Sequence, residues 1–267
     1  MSESGPVVVV TGASSGIGRA TAIALASRGY RVGLIARRRE VLDSVAAEIA
    51  GADGRASVAT ADVGDRDALR SAIAAIVGEL GPIEVMIANA GYGVPTGVDP
   101  LNTAEVEETF RVNVLGVVYS IESVLPAMLR RGSGQIVAIS SLAAFKGLPG
   151  ESAYCASKAA VNAYLEGLRI ATRDRGVAIA TVCPGFVDTP MNTMDAAATP
   201  FLITAEAAGR KIARVVDRRR SGLVRFPVSM ALLMTLIARL PDSIVARLVG
   251  HEHGPVEPRP APAISGE

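Results

Sequence analysis

Seven short apolar runs, rich in valine, isoleucine and alanine, recur along the chain with helical patterns between them, and this alternation limits the possible folds more than any other feature. The runs are VVVV (7–10), RVGLIA (31–36), ASVATA (56–61), IEVMIANA (83–90), GQIVAIS (134–140), VAIATVC (177–183) and GLVRF (222–226). Strands that are apolar on both faces must be covered on both faces, which is the condition of a parallel sheet whose crossover helices lie on either side. Right-handed crossovers then wind the chain outward in two directions. The expected class is α/β with a doubly wound parallel sheet.

Hydrophobic residues make up 49% of the 267, enough to build one large core. No repeat or linker interrupts the pattern before the end, so residues 1–250 read as a single domain, with 227–249 as a helical extension. Residues 251–267, HEHGPVEPRPAPAISGE, combine proline, glycine and charge with little to bury and are expected to form a disordered tail. A formal net charge of +1 gives no electrostatic case for a nucleic-acid partner. The run Arg218 to Arg220 reads as a solvated helix end. The opening MSESGPVVVVTG has no basic region followed by a long apolar stretch, so no secretory signal is expected. Two cysteines, Cys155 and Cys183, show no metal-ligand spacing; they fit a reducing, cytoplasmic setting, and no metal site is expected. Cys155 has no histidine near it in sequence, the only two being His251 and His253, and is not read as a nucleophile.

The first strand runs into TGASSGIG (11–18) and then a helical pattern. Glycines at a strand-to-helix turn allow a pyrophosphate to approach the backbone, and the helix N-terminus offers unpaired N–H groups and a positive dipole end. Gly12, Ser14, Ser15, Gly16, Ile17 and Gly18 are therefore candidate cofactor contacts. An acidic residue at the end of the second strand would mark a site for unphosphorylated ribose. Here Ala36 stands there, followed by Arg37 and Arg38, a pattern that favours the 2′-phosphate of NADP(H). Asp62, after the third strand, is placed to accept a hydrogen bond from the adenine amino group.

Farther along, SAYCASKAAV (152–161) sets Tyr154 and Lys158 four residues apart, in a chain with only five tyrosines and three lysines. On a helix such positions share a face, and a nearby cation lowers the pKa of a phenol toward values useful in proton transfer. A pair of amphipathic side chains on a half-buried helix would look the same.

Together these pieces resemble the short-chain dehydrogenase/reductase family, in its single-domain branch. The matching residues are TGASSGIG, the AlaAspVal of 61–63, the AlaAsnAlaGly of 88–91, Asn113, Ser140 and Ser141, Tyr154 and Lys158, and Pro184-Gly185 followed by Thr189. The resemblance spans roughly residues 6 to 190. It implies a Rossmann-type fold with Tyr154 as general acid or base, Lys158 lowering its pKa and holding the nicotinamide ribose, and Ser141 orienting the substrate oxygen, with Ser140 the weaker candidate. It further implies that Asn113 holds a proton-relay water, although an asparagine there can also simply distort its helix. Asn89 and Gly91 would shape the cofactor floor, Val63, Ala90, Pro184, Gly185 and Val187 would be further cofactor contacts, and Thr189 would contact the carboxamide or a phosphate. A homodimer or homotetramer is the assembly expected.

Two departures stand out. Ala88 replaces an asparagine common in the fourth-strand motif, and the C-terminal third resembles the longer helical ends of hydroxysteroid-, retinoid- and lipid-ketone-reducing relatives. The pocket candidates Tyr92, Val94, Ala143, Phe145, Leu148, Phe186, Met191 and Met194 are mostly apolar, which favours a hydrophobic ketone, aldehyde or secondary alcohol. A lid over 190–203 is the expected source of specificity. Residues 227–249, apolar nearly all round between Val228 and Leu240 and interrupted by Pro241, are expected to cap the pocket, join an interface or touch a membrane surface. The competing classes are a catalytically silent nucleotide sensor and a sugar-nucleotide epimerase or dehydratase.

Overall fold

The computed structural model describes residues 5–192 and 199–249. The first half alternates strictly: β1 (Val7–Thr11), α1 (Gly16–Ala26), β2 (Arg31–Ala36), α2 (Arg39–Gly51), β3 (Arg55–Thr60), α3 (Arg66–Leu80) and β4 (Ile83–Ala88). Then come α4 (Thr103–Phe110), a π-helical turn (Arg111–Leu115), α5 (Gly116–Arg131), β5 (Gly134–Ile139), a 3-10 turn (Leu142–Phe145), α6 (Ser152–Ala171) and β6 (Val177–Pro184). The chain continues through β7 (Val187–Asp188), β8 (Ile203–Thr204), α7 (Ala205–Asp217), β9 (Gly222–Phe226), α8 (Val228–Ile237) and α9 (Asp242–Val249).

All seven apolar runs are strands of one sheet, in the order β3-β2-β1-β4-β5-β6-β9, with every pairing parallel. Because side chains alternate across a strand, each run supplies both cores. Val8 and Val10 face the layer holding Leu25, Leu42 and Ile212, whereas Val7 and Val9 face the layer holding Ile76, Ile121 and Leu165. This is the doubly wound α/β fold read from the sequence. Local chemistry sets several helix ends: Asp65 accepts from the N–H of Asp67 and Ala68 at 3.1 and 3.0 Å to start α3, and Gly132 ends α5 at φ +64°.

The strand order reverses between β1 and β4, which opens a crevice at their carboxyl ends. The C-terminal extension is a helix pair on either side of Pro241. Met230, Ala231 and Met234 of α8 are buried with Leu142 and Cys183, and Phe145 and Phe186 pack against that cluster. Burying each methionine contributes about 1.5 to 3 kcal/mol, which fixes α8 over the 3-10 turn. Its other face, with Val228, Leu232 and Leu236 at 69%, 62% and 63% exposure, stays open. The expected lid begins and ends within the described chain and closes with β8, but its middle, including Met194, lies outside the described residues, as does the expected tail 251–267.

Candidate active site

The crevice is laced together by Thr11 and Asn89. The Thr11 hydroxyl accepts from the backbone N–H of Asn89 and Ala90 at 3.0 and 3.2 Å. The Asn89 amide in turn donates to the Thr11 carbonyl at 2.9 Å. The loop between β1 and α1 therefore sits directly against the end of β4. Gly12 has φ +67°, and a Cβ there would come within 2.8 Å of the Ala90 Cα. Gly16 has φ +52°, and a Cβ would meet the Thr189 methyl at 3.0 Å. A Cβ on Gly18 would overlap the Gly12 carbonyl and the Asn89 amide. Any side chain at these three positions would fill the loop, so it is a backbone cradle of the kind a pyrophosphate requires. Ser15 caps α1 in extended conformation without a side-chain cap bond, leaving the helix's first N–H groups without that acceptor. Ile17 packs on the core beneath, and Thr189, just after β7, stands over Gly16.

Arg37 and Arg38 are exposed after β2, and Arg38 Nη2 donates to Ser14 Oγ at 3.3 Å, so this arginine reaches toward the cradle. Asp62, after β3, already has two partners within the chain. Its two oxygens take the Gly64 N–H and Arg111 Nη2, each at 2.9 Å. Burial pushes its carboxyl up, but the bonds to Arg111 and Gly64, with the Arg111 and Arg37 cations, outweigh burial and hold it below the usual range. Arg111, also paired with Glu108 at 2.6 Å, was not singled out from sequence although it stands two residues before Asn113. Val63 is buried and packs on Gly116, where a Cβ would lie 2.7 Å from its methyl.

Ser141, Tyr154, Lys158 and Asn113 converge at the carboxyl ends of β4 and β5. Ser141 caps the 3-10 turn, its Oγ accepting from Ala143 N at 3.1 Å, and it also hydrogen-bonds Tyr154. Ser140 instead donates to the Lys158 carbonyl at 3.1 Å and serves as a buried brace. Lys158 Nζ donates to the Ile139 carbonyl at 2.9 Å and stands 5.7 Å from the centre of the Tyr154 ring. A Cβ on Gly91 would lie 3.5 Å from Asn113 Oδ1, 3.6 Å from Lys158 Nζ and 3.7 Å from Met191 Cε, so these groups share one small volume.

Burial pushes the Tyr154 phenol up to about 12, against a lowering by the Ser141 bond. Burial likewise pushes the Lys158 ammonium down to about 8. Desolvation disfavours whichever form is charged, so it moves a phenol and an amine in opposite directions. Burial thus favours the neutral form of the Tyr154 phenol. Asn113 also holds more than the sequence suggested. Its Oδ1 accepts from Tyr92 N at 2.7 Å, while Nδ2 donates to the Tyr92 carbonyl at 2.8 Å and Ser157 Oγ at 2.9 Å. The amide is thus a brace between the loop after β4 and α6, and the helix distortion allowed for at this residue is the π turn itself. Cys155 and Cys183 are buried, and burial raises both thiols, Cys183 to about 11, so neither is a ready thiolate.

Of the substrate candidates, the segment from Tyr92 to Val94 lies against Tyr154, since a Cβ on Gly93 would sit 3.2 Å from its ring. Ala143 is held by Ser141, and Met191 is exposed beside Gly91. Phe145 and Phe186 belong to the α8 cluster, while Leu148 lines a cleft of about 300 Å³ with Lys146, Pro149, Asp242 and Val245. Pro184 ends β6, Gly185 donates its N–H to the Phe226 carbonyl at 2.8 Å, and Val187 is buried. Sequence reasoning missed Lys146, whose Nζ bonds Asp242 at 2.7 Å and the Leu240 carbonyl at 3.2 Å. It also missed Thr11, whose only signal was its place before Gly12.

A parallel sheet with a glycine cradle at its switch point and a Ser-Tyr-Lys cluster beside it defines a dinucleotide-dependent oxidoreductase class. The short chain dehydrogenase family model matches residues 6–199, and the chain belongs to that family. It is 35% identical over 236 residues to an uncharacterized oxidoreductase of Myxococcus xanthus (strain DK1622), covering 88% of this chain and 93% of that one. Among solved structures it resembles a 3-ketoacyl-ACP reductase from Sinorhizobium meliloti 1021, with TM-score 0.76, 32% identity, and coverage of 85% and 100%. The actinorhodin polyketide ketoreductase with NADPH superposes with TM-score 0.78 at 27% identity, covering 84% of this chain and 97% of that one.

Proposed function

We propose that this oxidoreductase transfers hydride between NADP(H) and a hydrophobic ketone, aldehyde or secondary alcohol, with Tyr154 as the proton donor and acceptor. The observation that carries the reading is the convergence of Ser141, Tyr154 and Lys158 beside the side-chain-free Gly91. The three-glycine cradle fits a dinucleotide pyrophosphate, with Ser14 and Ser15 and the N-terminus of α1 at the phosphates and Lys158 toward the ribose. When bound, the nicotinamide supplies or takes the hydride. In the reducing direction Tyr154 gives its phenolic proton to the substrate oxygen. Ser141 Oγ accepts from Ala143 N and is already bonded to Tyr154, so its hydroxyl can donate to the phenolate left behind or turn to the substrate oxygen. Below about pH 8 Lys158 is charged and stabilises the same phenolate.

NADP(H) is favoured by the exposed Arg37 and Arg38 after Ala36, where a carboxylate would repel a 2′-phosphate. The NADPH held by the actinorhodin ketoreductase is in keeping with that choice. An apolar substrate is favoured by Tyr92, Val94, Leu148 and Met191 around the site and by the wall that α8 builds behind Phe145 and Phe186. A panel of aliphatic and aromatic ketones and aldehydes, assayed with NADPH and NADH by loss of the reduced cofactor's absorbance, tests both choices. The expected result is turnover of bulky apolar carbonyls with NADPH well above NADH. Turnover confined to small charged substrates, or equal use of both cofactors, would overturn the corresponding half of the reading.

A further inference from the structure

At the end of the sheet opposite the catalytic cluster, the starts of β5, β6 and β9 carry a second built feature. β6 begins at Val177, but its first partner on β9 is Ala180 against Gly222, so three residues of β6 overhang the edge strand. The overhang forms one wall of a cleft of about 300 Å³, lined by Arg169, Arg173, Arg219 and Ser221 together with Gly176, Val177 and Ala178. No carboxylate is among these lining residues.

The cleft is held by contacts at the level of the backbone. Gly176, at φ +71°, lies so close to the Gly132 carbonyl that a Cβ would overlap it. Arg219, itself at φ +44°, donates to the Gly134 carbonyl at 3.2 Å. The buried Gln135 amide donates to the Arg220 carbonyl at 3.2 Å, and Ser221 Oγ and Arg169 Nη1 both reach the Ile179 carbonyl, at 3.1 and 3.4 Å. Three turns, one after each of α5, α6 and α7, are therefore pinned together, and the arginines they carry are brought to one place.

The charge there is out of proportion to the chain. Segments 169–176 (RIATRDRG) and 214–221 (RVVDRRRS) contain seven arginines and two aspartates, in a protein of formal net charge +1. One of those aspartates, Asp217, is engaged by Arg28 at 3.1 Å and Tyr30 at 3.4 Å. Helix-dipole complementarity accounts for Arg169 in the last turn of α6. It does not account for Arg219, which crosses from beyond α7 to the start of β5, nor for Arg173, for which no side-chain bond exists among the described residues. Guanidinium groups gathered within a Debye length repel one another, and each presents a donor fork that matches phosphate oxygens. Arg169 and Arg173 come from the end of α6 and Arg219 from the turn before β9, so two walls offer separate forks.

We propose that this cleft is a second anion site, which takes a compact ligand bearing a diphosphate group, apart from the cradle after β1. Inorganic pyrophosphate is the probe. In calorimetric titrations of the full chain with saturating NADPH present, pyrophosphate should bind saturably, more tightly than orthophosphate at equal ionic strength, and more weakly as KCl rises. Arg173→Ala, which removes no bond that holds the fold, should weaken pyrophosphate about tenfold or more while leaving ketone turnover unchanged. Arg173→Glu should abolish binding. Unchanged affinity in both Arg173 variants, or no saturable binding to the wild type, would overturn the proposal. A loss seen only in Arg38→Ala would assign the binding to the glycine cradle and overturn it equally.

Discussion

Tyr154 and Lys158 sit in the same buried volume, and that volume acts on them in opposite senses, the phenol to about 12 and the ammonium to about 8. The lysine shift carries a sign that unfolding can read. An exposed lysine titrates at 10.5, so between about pH 8 and 10.5 the unfolded chain binds a proton that the folded chain has released. Stability contributed at this position therefore rises with pH through that window and is missing below it. The unfolding free energy of wild type minus that of Lys158→Met, measured in urea, should increase by on the order of 2 to 3 kcal/mol from pH 7 to 10.5. A pH-independent difference would mean that Lys158 is not desolvated. The neighbouring serines should separate just as clearly. If Ser141 donates to the reacting oxygen as proposed, Ser141→Ala should lower kcat by about 10²-fold with little change in thermal midpoint. Ser140→Ala should spare kcat and cost about 1 kcal/mol of stability, because its hydroxyl braces the Lys158 carbonyl. The reverse pattern would exchange their roles.

At the scale of elements, α8 packs on the turn after β5, and α9 lines a cleft with the segment from Lys146 to Pro149. α8 rests on the turn that Ser141 caps, and Lys146 ties the following loop to the start of α9 through Asp242 and the Leu240 carbonyl. Asp242 is 95% exposed, so the ion pair adds little to global stability, and its effect belongs to the position of the Leu148 loop. Lys146→Ala should raise KM for bulky ketones several-fold while leaving NADPH affinity and thermal midpoint nearly unchanged. A shift in cofactor affinity instead would place the tie elsewhere in the cycle. The strands were readable because β-branched runs such as VVVV and GQIVAI need only their own composition to declare themselves. The π turn at Arg111–Leu115 was not, because its brace runs from Asn113 to Tyr92 and Ser157, 21 and 44 residues away. The Arg111 to Asp62 pair hid for the same reason, and β7 and β8, two residues each, are too short to leave a pattern. At the candidate site, the residue types and their order were visible in TGASSGIG and SAYCASK, while the direction of their pKa shifts depended on burial that only packing supplies.

For the molecule as a whole, the reversal of strand order between β1 and β4 brings the glycine cradle, the exposed arginines after β2 and the Ser141–Tyr154–Lys158 cluster to one edge of a rigid sheet. Cofactor choice and chemistry are then separable. Replacing Arg37 with Ala and Ala36 with Asp should lower the NADPH to NADH ratio of kcat/KM by about tenfold to a hundredfold, since a charge-assisted bond contributes about 1.5 to 3 kcal/mol. An unchanged ratio would remove these residues from 2′-phosphate recognition. The proposed reaction takes its hydride from the bound nicotinamide and its proton from Tyr154. Its most direct test is reduction of a bulky apolar ketone with NADPH deuterated at the transferring position, followed by mass spectrometry of the alcohol. The account predicts one deuterium on the carbinol carbon with wild type. With Tyr154→Phe it predicts formation of labelled alcohol slowed by at least about 10²-fold, while NADPH binding, followed by cofactor fluorescence, persists. Labelled alcohol formed by Tyr154→Phe at the wild-type rate, or none formed by the wild type from any ketone tried, would contradict it.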